Sequence, residues 1–226
     1  MSDITPADGR REPGQWRVGR ASFLTLAGLT TVALLLAQSP PGALSVLAPG
    51  RTAAGFEIYT IADFPSFDPA RYRLEISGMV KHPRSYTLAE ILATPSVREV
   101  QTFHCVTGWV VPDCRWAGVR LWDLIAAAEP ISGATALSFF CMDNAYTESL
   151  TLAQAKVPDV LLAYGLDGTR LSRQQGAPLR LIVPGMYGYK SAKWVNRIEV
   201  GDKVVPGYWE QNGYDVDAYI GRSNGA

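Results

Sequence analysis

Hydrophobic and polar positions alternate along several short segments of the chain, a pattern that predicts β-strands rather than long helices. The segment 71–78 alternates in this way, and the segment 97–103 is rich in β-branched residues. The mainly apolar segments 136–141 and 179–183, interrupted only by Ser138 and Arg180, predict two further strands, the first of them buried.

Two short helices are predicted by capping boxes, in which a Thr precedes a Glu or Gln by three positions. They begin after Thr87 and after Thr151, and the segment 121–128 has helical spacing as well. The Trp-containing stretch 109–118 is predicted to be a loop, and Asp167–Gly168 a turn. Short strands mixed with short helices, without a regular βαβ alternation, favour an α+β fold.

Residues 1–50 differ from the rest of the chain. Four arginines precede the uncharged apolar run 21–37, which is 17 residues long. A membrane-spanning helix needs about 17–25 residues, and the apolar part of a signal peptide has about 7–15. The segment is therefore predicted to be an export signal or a membrane anchor. Because the basic flank stays inside the cell, residues 51–226 are expected to form one periplasmic or outward-facing domain.

Charge and cysteine content exclude several classes of protein. The 21 basic and 21 acidic residues balance, and no basic run suggests a nucleic-acid partner. The three cysteines, Cys105, Cys114 and Cys141, show no C-x-x-C spacing and fit neither a zinc site nor a c-type haem site. A disulfide between Cys105 and Cys114 remains open as a purely structural alternative.

Two motifs carry candidate chemistry. Cys105 follows a predicted strand in the sequence Phe-His-Cys-Val-Thr-Gly-Trp, where a thiolate could act as a soft metal ligand. The stretch 176–194 contains Arg180 at the start of an apolar strand and ends in the turn Lys-Ser-Ala-Lys at 190–193. Two cations, a hydroxyl and backbone N–H groups in a Gly-rich turn are suited to a phosphate.

Taken together, these two motifs resemble the molybdopterin-binding domain of the sulfite oxidase family over residues 59–201. The resemblance is to short bacterial members of the family, among them the protein-methionine-sulfoxide reductases. The resemblance implies a sulfite-oxidase-type α+β fold, without the C-terminal immunoglobulin-like dimerisation domain, and a molybdenum–molybdopterin cofactor. Cys105 would then ligate the molybdenum. The residues that would hold the pterin and its phosphate are Arg180, Lys190, Ser191, Ala192 and Lys193.

Four further residues are weaker candidates for the site. Cys141 and Gln175 stand where the reductase branch has Thr and Asn, so either could contact the pterin or simply pack. His104 adjoins the predicted ligand and could contact cofactor or substrate, or only pack. Tyr187 could donate a hydrogen bond to a substrate oxygen.

The resemblance implies a molybdenum-dependent oxidoreductase that transfers an oxygen atom to or from a small sulfur or nitrogen oxide or a sulfoxide. Because the sequence contains neither a c-type haem motif nor an iron–sulfur cysteine cluster, electrons are expected to be exchanged with a membrane or periplasmic protein such as a cytochrome. Two alternatives are a non-catalytic, membrane-tethered binding module that keeps the fold, and a cofactor-free secreted domain cross-linked by Cys105 and Cys114.

Overall fold

The computed structural model describes residues 50–51 and 55–224, so the predicted export or anchor segment lies outside the described residues. The strands, in chain order, are β1 (Gly50–Arg51), β2 (Glu57–Ile58), β3 (Arg73–Gly78), β4 (Arg84–Thr87), β5 (Val97–His104), β6 (Val110–Arg120), β7 (Ala136–Cys141), β8 (Thr147–Thr151), β9 (Leu161–Leu166), β10 (Thr169–Arg170), β11 (Arg180–Ile182) and β12 (Val195–Gly201). The helices are α1 (Leu88–Ala93), α2 (Leu121–Ala127), α3 (Leu152–Ala155) and α4 (Tyr208–Gln211), with a 3₁₀ helix at Gly188–Lys190. None of the helices in the described ranges is both long and apolar enough to cross a membrane.

The strands form two five-stranded sheets and a small pair, β1 with β2. One large sheet has the order β4-β3-β12-β7-β8, in which β12 runs parallel to β3 and antiparallel to β7. The other has the order β10-β9-β6-β5, and β11 also pairs with β9. One mixed sheet and one antiparallel sheet, accompanied by short helices, confirm the prediction of an α+β fold.

The two predicted capping boxes are both present. The Thr87 hydroxyl accepts from the Glu90 N–H at 3.1 Å, and the Glu90 carboxylate accepts from the Thr87 N–H at 2.7 Å. Thr151 and Gln154 make the same reciprocal pair at 3.1 and 2.8 Å. The predicted turn at Asp167–Gly168 is also found, with φ angles of 50° and 81°. Both values are positive, as a two-residue hairpin turn that matches the strand twist requires.

The prediction of a loop over 109–118 is wrong, because most of this stretch belongs to β6. The register of β6 against β5 shifts beside Pro112 and Asp113, so that two residues of β6 face one residue of β5. This arrangement is a β-bulge, in which an otherwise loop-forming Pro and a residue with positive φ are accommodated. Asp113 has a φ of 54°.

The buried residues form two clusters. The larger cluster includes Leu74 and Ile76, the alternate residues of β3 that face inward. The smaller one gathers around Trp116 on β6 and receives Ile182 from β11. Because side chains alternate along a strand, Arg180 leaves β11 on the same side as Ile182. The sheet geometry thus directs a guanidinium group into an aromatic cluster.

Candidate cofactor site

Cys105 lies in a tight turn between β5 and β6. Its N–H donates to the Trp109 carbonyl at 2.9 Å, and its own carbonyl accepts from the Gly108 N–H at 3.0 Å. The side chain is half-buried, and Cys105, Cys114 and Cys141 are all free thiols. The structure therefore does not support the disulfide alternative, and Cys105 remains available as a ligand.

Several hydrogen-bond donors converge on the Cys105 sulfur. The Thr107 hydroxyl lies 3.2 Å from Sγ. Burial raises the pKa of the thiol, whereas hydrogen bonds from this hydroxyl and from the backbone N–H groups of Thr107 and Val106 act in the opposite direction. Such donors stabilise negative charge on sulfur, so this turn is suited to a thiolate bound to a metal.

Arg180 is buried, and none of the acidic side chains in the described residues forms an ion pair with it. Its Nη1 donates to the Gln175 carbonyl at 3.0 Å and its Nη2 to the Ser191 carbonyl at 3.1 Å, while its Nε is buried and unpaired. The guanidinium carbon lies 5.6 Å from the ring centre of Phe103 and 5.2 Å from that of Trp116. Burial lowers the pKa of Arg180 to about 10. A buried charge of this kind favours an anionic ligand.

Lys193 adds a second cation next to Arg180. A Cβ atom on Gly176 would lie 3.0 Å from the Lys193 Cβ and 3.1 Å from the Arg180 Cβ, and Gly176 has a φ of 108°. Only glycine accepts both the close approach and this backbone conformation. Burial, and then the Arg180 charge, lower the pKa of Lys193 to about 7. Within the part of the chain that the structure describes, neither cation belongs to an ion pair.

Tyr59 connects the two halves of the site and was not singled out from the sequence. Its carbonyl accepts from the Lys193 ammonium at 2.6 Å. Its ring stacks on Trp109 with the centroids 6.5 Å apart and the planes 6° from parallel. Its phenol donates to Glu57 at 3.0 Å. Burial raises the pKa of this phenol, and the nearby Thr107 side chain acts to lower it. The only sequence signal is an aromatic residue ahead of the first predicted strand.

The remaining predicted cofactor contacts lie around these cations. Cys141 is buried at the end of β7, close enough to Lys193 to interact electrostatically. The Gln175 side-chain oxygen accepts from the Ser172 N–H at 2.8 Å. The Ser191 hydroxyl accepts from the Val183 N–H at 3.2 Å, and the Ala192 carbonyl from the Leu181 N–H at 2.8 Å. These bonds fix the shape of the loop, and a direct contact with the cofactor stays a prediction for each residue.

The two weaker catalytic candidates lie on different elements. His104 is half-buried at the end of β5, immediately before Cys105. Tyr187 is buried, its N–H donates to the Ala218 carbonyl at 2.7 Å, and its phenol oxygen accepts from the Gly221 N–H at 3.2 Å. The segment after α4 therefore positions Tyr187, while its predicted contact with substrate stays untested.

The structure does not support the phosphate-binding role predicted for Lys190. Its ammonium is fully buried and donates to Glu148 of β8 at 2.6 Å and to Glu210 of α4. The backbone N–H groups of Lys190 and Ser191 donate to carbonyls of the same turn, those of Tyr187 and Gly188. Burial, opposed by the Lys190 charge, raises the pKa of Glu148 to about 8. Lys190 thus joins three elements behind the site rather than offering a free cation.

The fold and the site define the class of protein, which is an α+β domain with a binding site for a cofactor. Its buried cations are suited to an anionic group, and the free thiol, which Tyr59 connects to them, is suited to a metal. The family model described as "Oxidoreductase molybdopterin binding domain" matches residues 61–209. The chain belongs to this family, of the sulfite oxidase type, and is an oxidoreductase that uses a molybdenum cofactor.

Individual relatives agree with this assignment. The uncharacterized oxidoreductase YuiH of Bacillus subtilis is 33% identical over 162 residues, which cover 71% of this chain and 81% of YuiH. The protein-methionine-sulfoxide reductase catalytic subunit MsrP of Ralstonia nicotianae is 35% identical over 184 residues, which cover 68% of this chain and 55% of MsrP. The match therefore spans about half the length of that reductase.

A solved structure shows the same fold. The sulfane dehydrogenase SoxCD from Paracoccus pantotrophus superposes with a TM-score of 0.64 at 24% sequence identity. The superposition covers 76% of this chain and 50% of the SoxCD chain. At this identity the likeness supports the fold alone.

The residues present fit the molybdenum cofactor. The buried, unpaired Nε of Arg180 needs an acceptor, and an anionic pterin phosphate supplies acceptors and negative charge together. Gly176 lets the Arg180 and Lys193 side chains pack close to each other, and the Arg180 charge acts on Lys193. At the other end, the donors around Cys105 favour the deprotonated sulfur that a metal requires.

Substituting Lys190 by Met is expected to lower the free energy of unfolding by about 3–5 kcal/mol, because the buried side chains of Glu148 and Glu210 lose the cation that they share. Urea unfolding at pH 7 measures this change. Lys81→Met is a matched control, since Lys81 pairs with Glu129 where the side chains are 62% and 50% exposed. The control should unfold close to wild type, and equal stability of the two variants would contradict a role of Lys190 in holding the fold.

Without cofactor, the contribution of Lys193 to stability is expected to rise as the pH goes from about 7 towards 10.5, the ordinary value for Lys. Lys193 has a lower pKa in the folded protein than in the unfolded chain, so the unfolded chain binds more protons in this range. The difference in unfolding free energy between wild type and Lys193→Met should therefore move in favour of wild type at higher pH. The exposed Lys203→Met is the control. A difference that does not change with pH would contradict this expectation.

Proposed function

We propose that the protein catalyses oxygen-atom transfer on a small sulfur or nitrogen oxide, with reduction of a sulfoxide as the favoured reaction. In that reaction a sulfoxide, two electrons and two protons give a thioether and water. The observation that carries the proposal is the buried Arg180, whose unpaired donor and uncompensated charge call for an anionic cofactor beside Cys105. The identity of 35% to a protein-methionine-sulfoxide reductase supports the choice of substrate class.

Each end of the site has a separate task in this proposal. Cys105 ligates the metal, and Arg180 and Lys193 hold the phosphate side of the pterin. When bound, the cofactor supplies a metal centre that can exchange two electrons and an oxygen atom. Tyr187, held by Ala218 and Gly221, offers a phenol to the substrate oxygen. His104 adjoins the ligand and is available for a contact with cofactor or substrate.

We infer that a separate electron-transfer protein reduces or oxidises this site. The three cysteines of the chain are fewer than the four that common iron–sulfur clusters use, and the sequence contains no C-x-x-C-H. Relatives such as the MsrP proteins of Ralstonia nicotianae and Burkholderia mallei are named as catalytic subunits. These names favour an assembly in which a second protein carries electrons, such as a membrane or periplasmic cytochrome.

Cys105→Ser is expected to abolish reduction of methionine sulfoxide and dimethyl sulfoxide, assayed with a reduced viologen on protein from a molybdenum-replete host. The loss should exceed about 100-fold, because even partners outside the ligand shell are worth about 10–100-fold. Cys114→Ser is the matched control: Cys114 is 2% exposed, its thiol donates to the Val111 carbonyl at 3.3 Å, and its replacement should retain the metal and the activity.

Two outcomes would contradict the proposal. If Cys114→Ser loses activity while Cys105→Ser keeps it, Cys105 is not the ligand. If wild-type protein with full molybdenum and pterin content reduces no sulfoxide or N-oxide and does not oxidise sulfite, the oxygen-transfer reaction is wrong. The non-catalytic binding module would then be the better description.

We also infer that the N-terminal segment places the domain outside the cytoplasmic membrane. Support comes from the four arginines that precede the uncharged run 21–37. Cell fractionation with N-terminal sequencing should find the protein in the periplasm if the segment is cleaved, or full-length in the membrane if it is an anchor. Full-length protein in the soluble cytoplasmic fraction would contradict the inference.

A further inference from the structure

We propose that Thr107 is a positioning residue that controls how strongly the Cys105 sulfur is hydrogen-bonded when it acts as a metal ligand. The single hydroxyl proton of Thr107 can be donated either to that sulfur or to the phenol oxygen of Tyr59. The inference rests on the proposed role of Cys105 as the molybdenum ligand. The Thr107 oxygen lies 3.2 Å from the Cys105 sulfur. Burial raises the pKa of the Tyr59 phenol, whereas the Thr107 side chain acts to lower it, so the phenol oxygen is a second acceptor beside this hydroxyl.

The hydroxyl differs from the other donors at this sulfur. The N–H groups of Val106 and Thr107 belong to the backbone of the turn, which the bonds from Cys105 to Gly108 and Trp109 close. Their direction is fixed by the main chain. The Thr107 hydroxyl rotates about its C–O bond, so its hydrogen bond alone depends on a competing acceptor nearby.

Tyr59 is that competing acceptor. Its phenol donates its single proton to the Glu57 carboxylate at 3.0 Å, so towards Thr107 the phenol oxygen accepts. The Thr107 hydroxyl also has one proton, which it can place on the sulfur or on the phenol oxygen. The hydrogen bond from Tyr59 to Glu57 therefore influences, through Thr107, how much hydrogen bonding the sulfur receives.

A hydrogen bond to a ligating thiolate withdraws electron density from the sulfur. The metal then receives less electron density, its reduced form is stabilised, and its reduction potential rises; hydrogen bonds to sulfur ligands tune other metal centres in this way. The same withdrawal lowers the energy of the sulfur lone pairs, which moves the thiolate-to-metal charge-transfer band to higher energy. Potential and band energy therefore report on Thr107 independently of turnover.

The test uses the cofactor-loaded, full-length protein and compares Thr107→Val, Thr107→Ser and Tyr59→Phe. Molybdenum and pterin content are measured first. The potential of the Mo(VI)/Mo(V) couple is then obtained by redox titration with electron paramagnetic resonance, and the charge-transfer band by absorption spectroscopy. Thr102→Val is the matched control, because Thr102 is exposed on the same strand that leads to Cys105.

The two key variants are expected to shift in opposite directions. Thr107→Val removes the donor at nearly constant shape, so the potential should fall and the band should move to lower energy. Thr107→Ser should stay close to wild type. Tyr59→Phe removes the competing acceptor but keeps the stack on Trp109 and the carbonyl that binds Lys193, so the potential and the band energy should rise.

An unchanged potential and band in cofactor-loaded Thr107→Val would overturn the inference. If Thr107→Val does not take up the cofactor, Tyr59→Phe decides, and a fall or no change in its potential overturns the inference. The failure of the proposed function is a different result: a charge-transfer band that survives in cofactor-loaded Cys105→Ser shows that Cys105 is not the ligand.

Discussion

The positive charge of Arg180 is the constraint on which the site depends. Two of its nitrogens are satisfied by the carbonyls of Gln175 and Ser191, which belong to the segments before and after β11. The guanidinium therefore fixes the position of both segments relative to the strand. Its Nε and its charge remain uncompensated in the described part of the protein. An anionic cofactor supplies an acceptor for Nε and a negative charge for the guanidinium, so it removes the energetic cost of both. Any ligand that binds only the folded state stabilises that state. Cofactor uptake and stability are thus physically coupled at this residue.

Two lysines of one motif have different environments in the fold, although the sequence pattern does not distinguish them. Lys190 and Lys193 both lie in the same Gly-rich turn. Lys190 meets carboxylates that are 42 and 20 positions away in the sequence, so its charge is neutralised inside the fold. The Lys193 ammonium instead donates to the Tyr59 carbonyl, and its pKa is lowered by burial and by the Arg180 charge. Only the tertiary structure determines which cation receives an acid, so the pattern alone assigned both to the phosphate.

Features that depend on neighbouring residues could be predicted from the sequence. The capping boxes at Thr87 and Thr151 and the turn at Asp167–Gly168 need only side chains within three positions of each other. The long strand β6 could not be predicted in this way, because Pro112 and Asp113 carry loop signals that a β-bulge accommodates. Pairing with both β5 and β9 supplies the stabilisation that outweighs those local preferences.

Tyr59 explains how a metal ligand and a phosphate-binding cation come to act as one site. Its carbonyl holds Lys193, its ring stacks on Trp109 at the end of the Cys105 turn, and its phenol reaches Thr107. A displacement of this one residue therefore alters both ends of the cofactor site. The backbone contact positions a cation, whereas the phenol influences the hydrogen bonding of a sulfur, so the two effects can be separated by removing the hydroxyl alone. The electronic properties of the metal ligand can in this way change through residue 59 while the phosphate-side contact is kept.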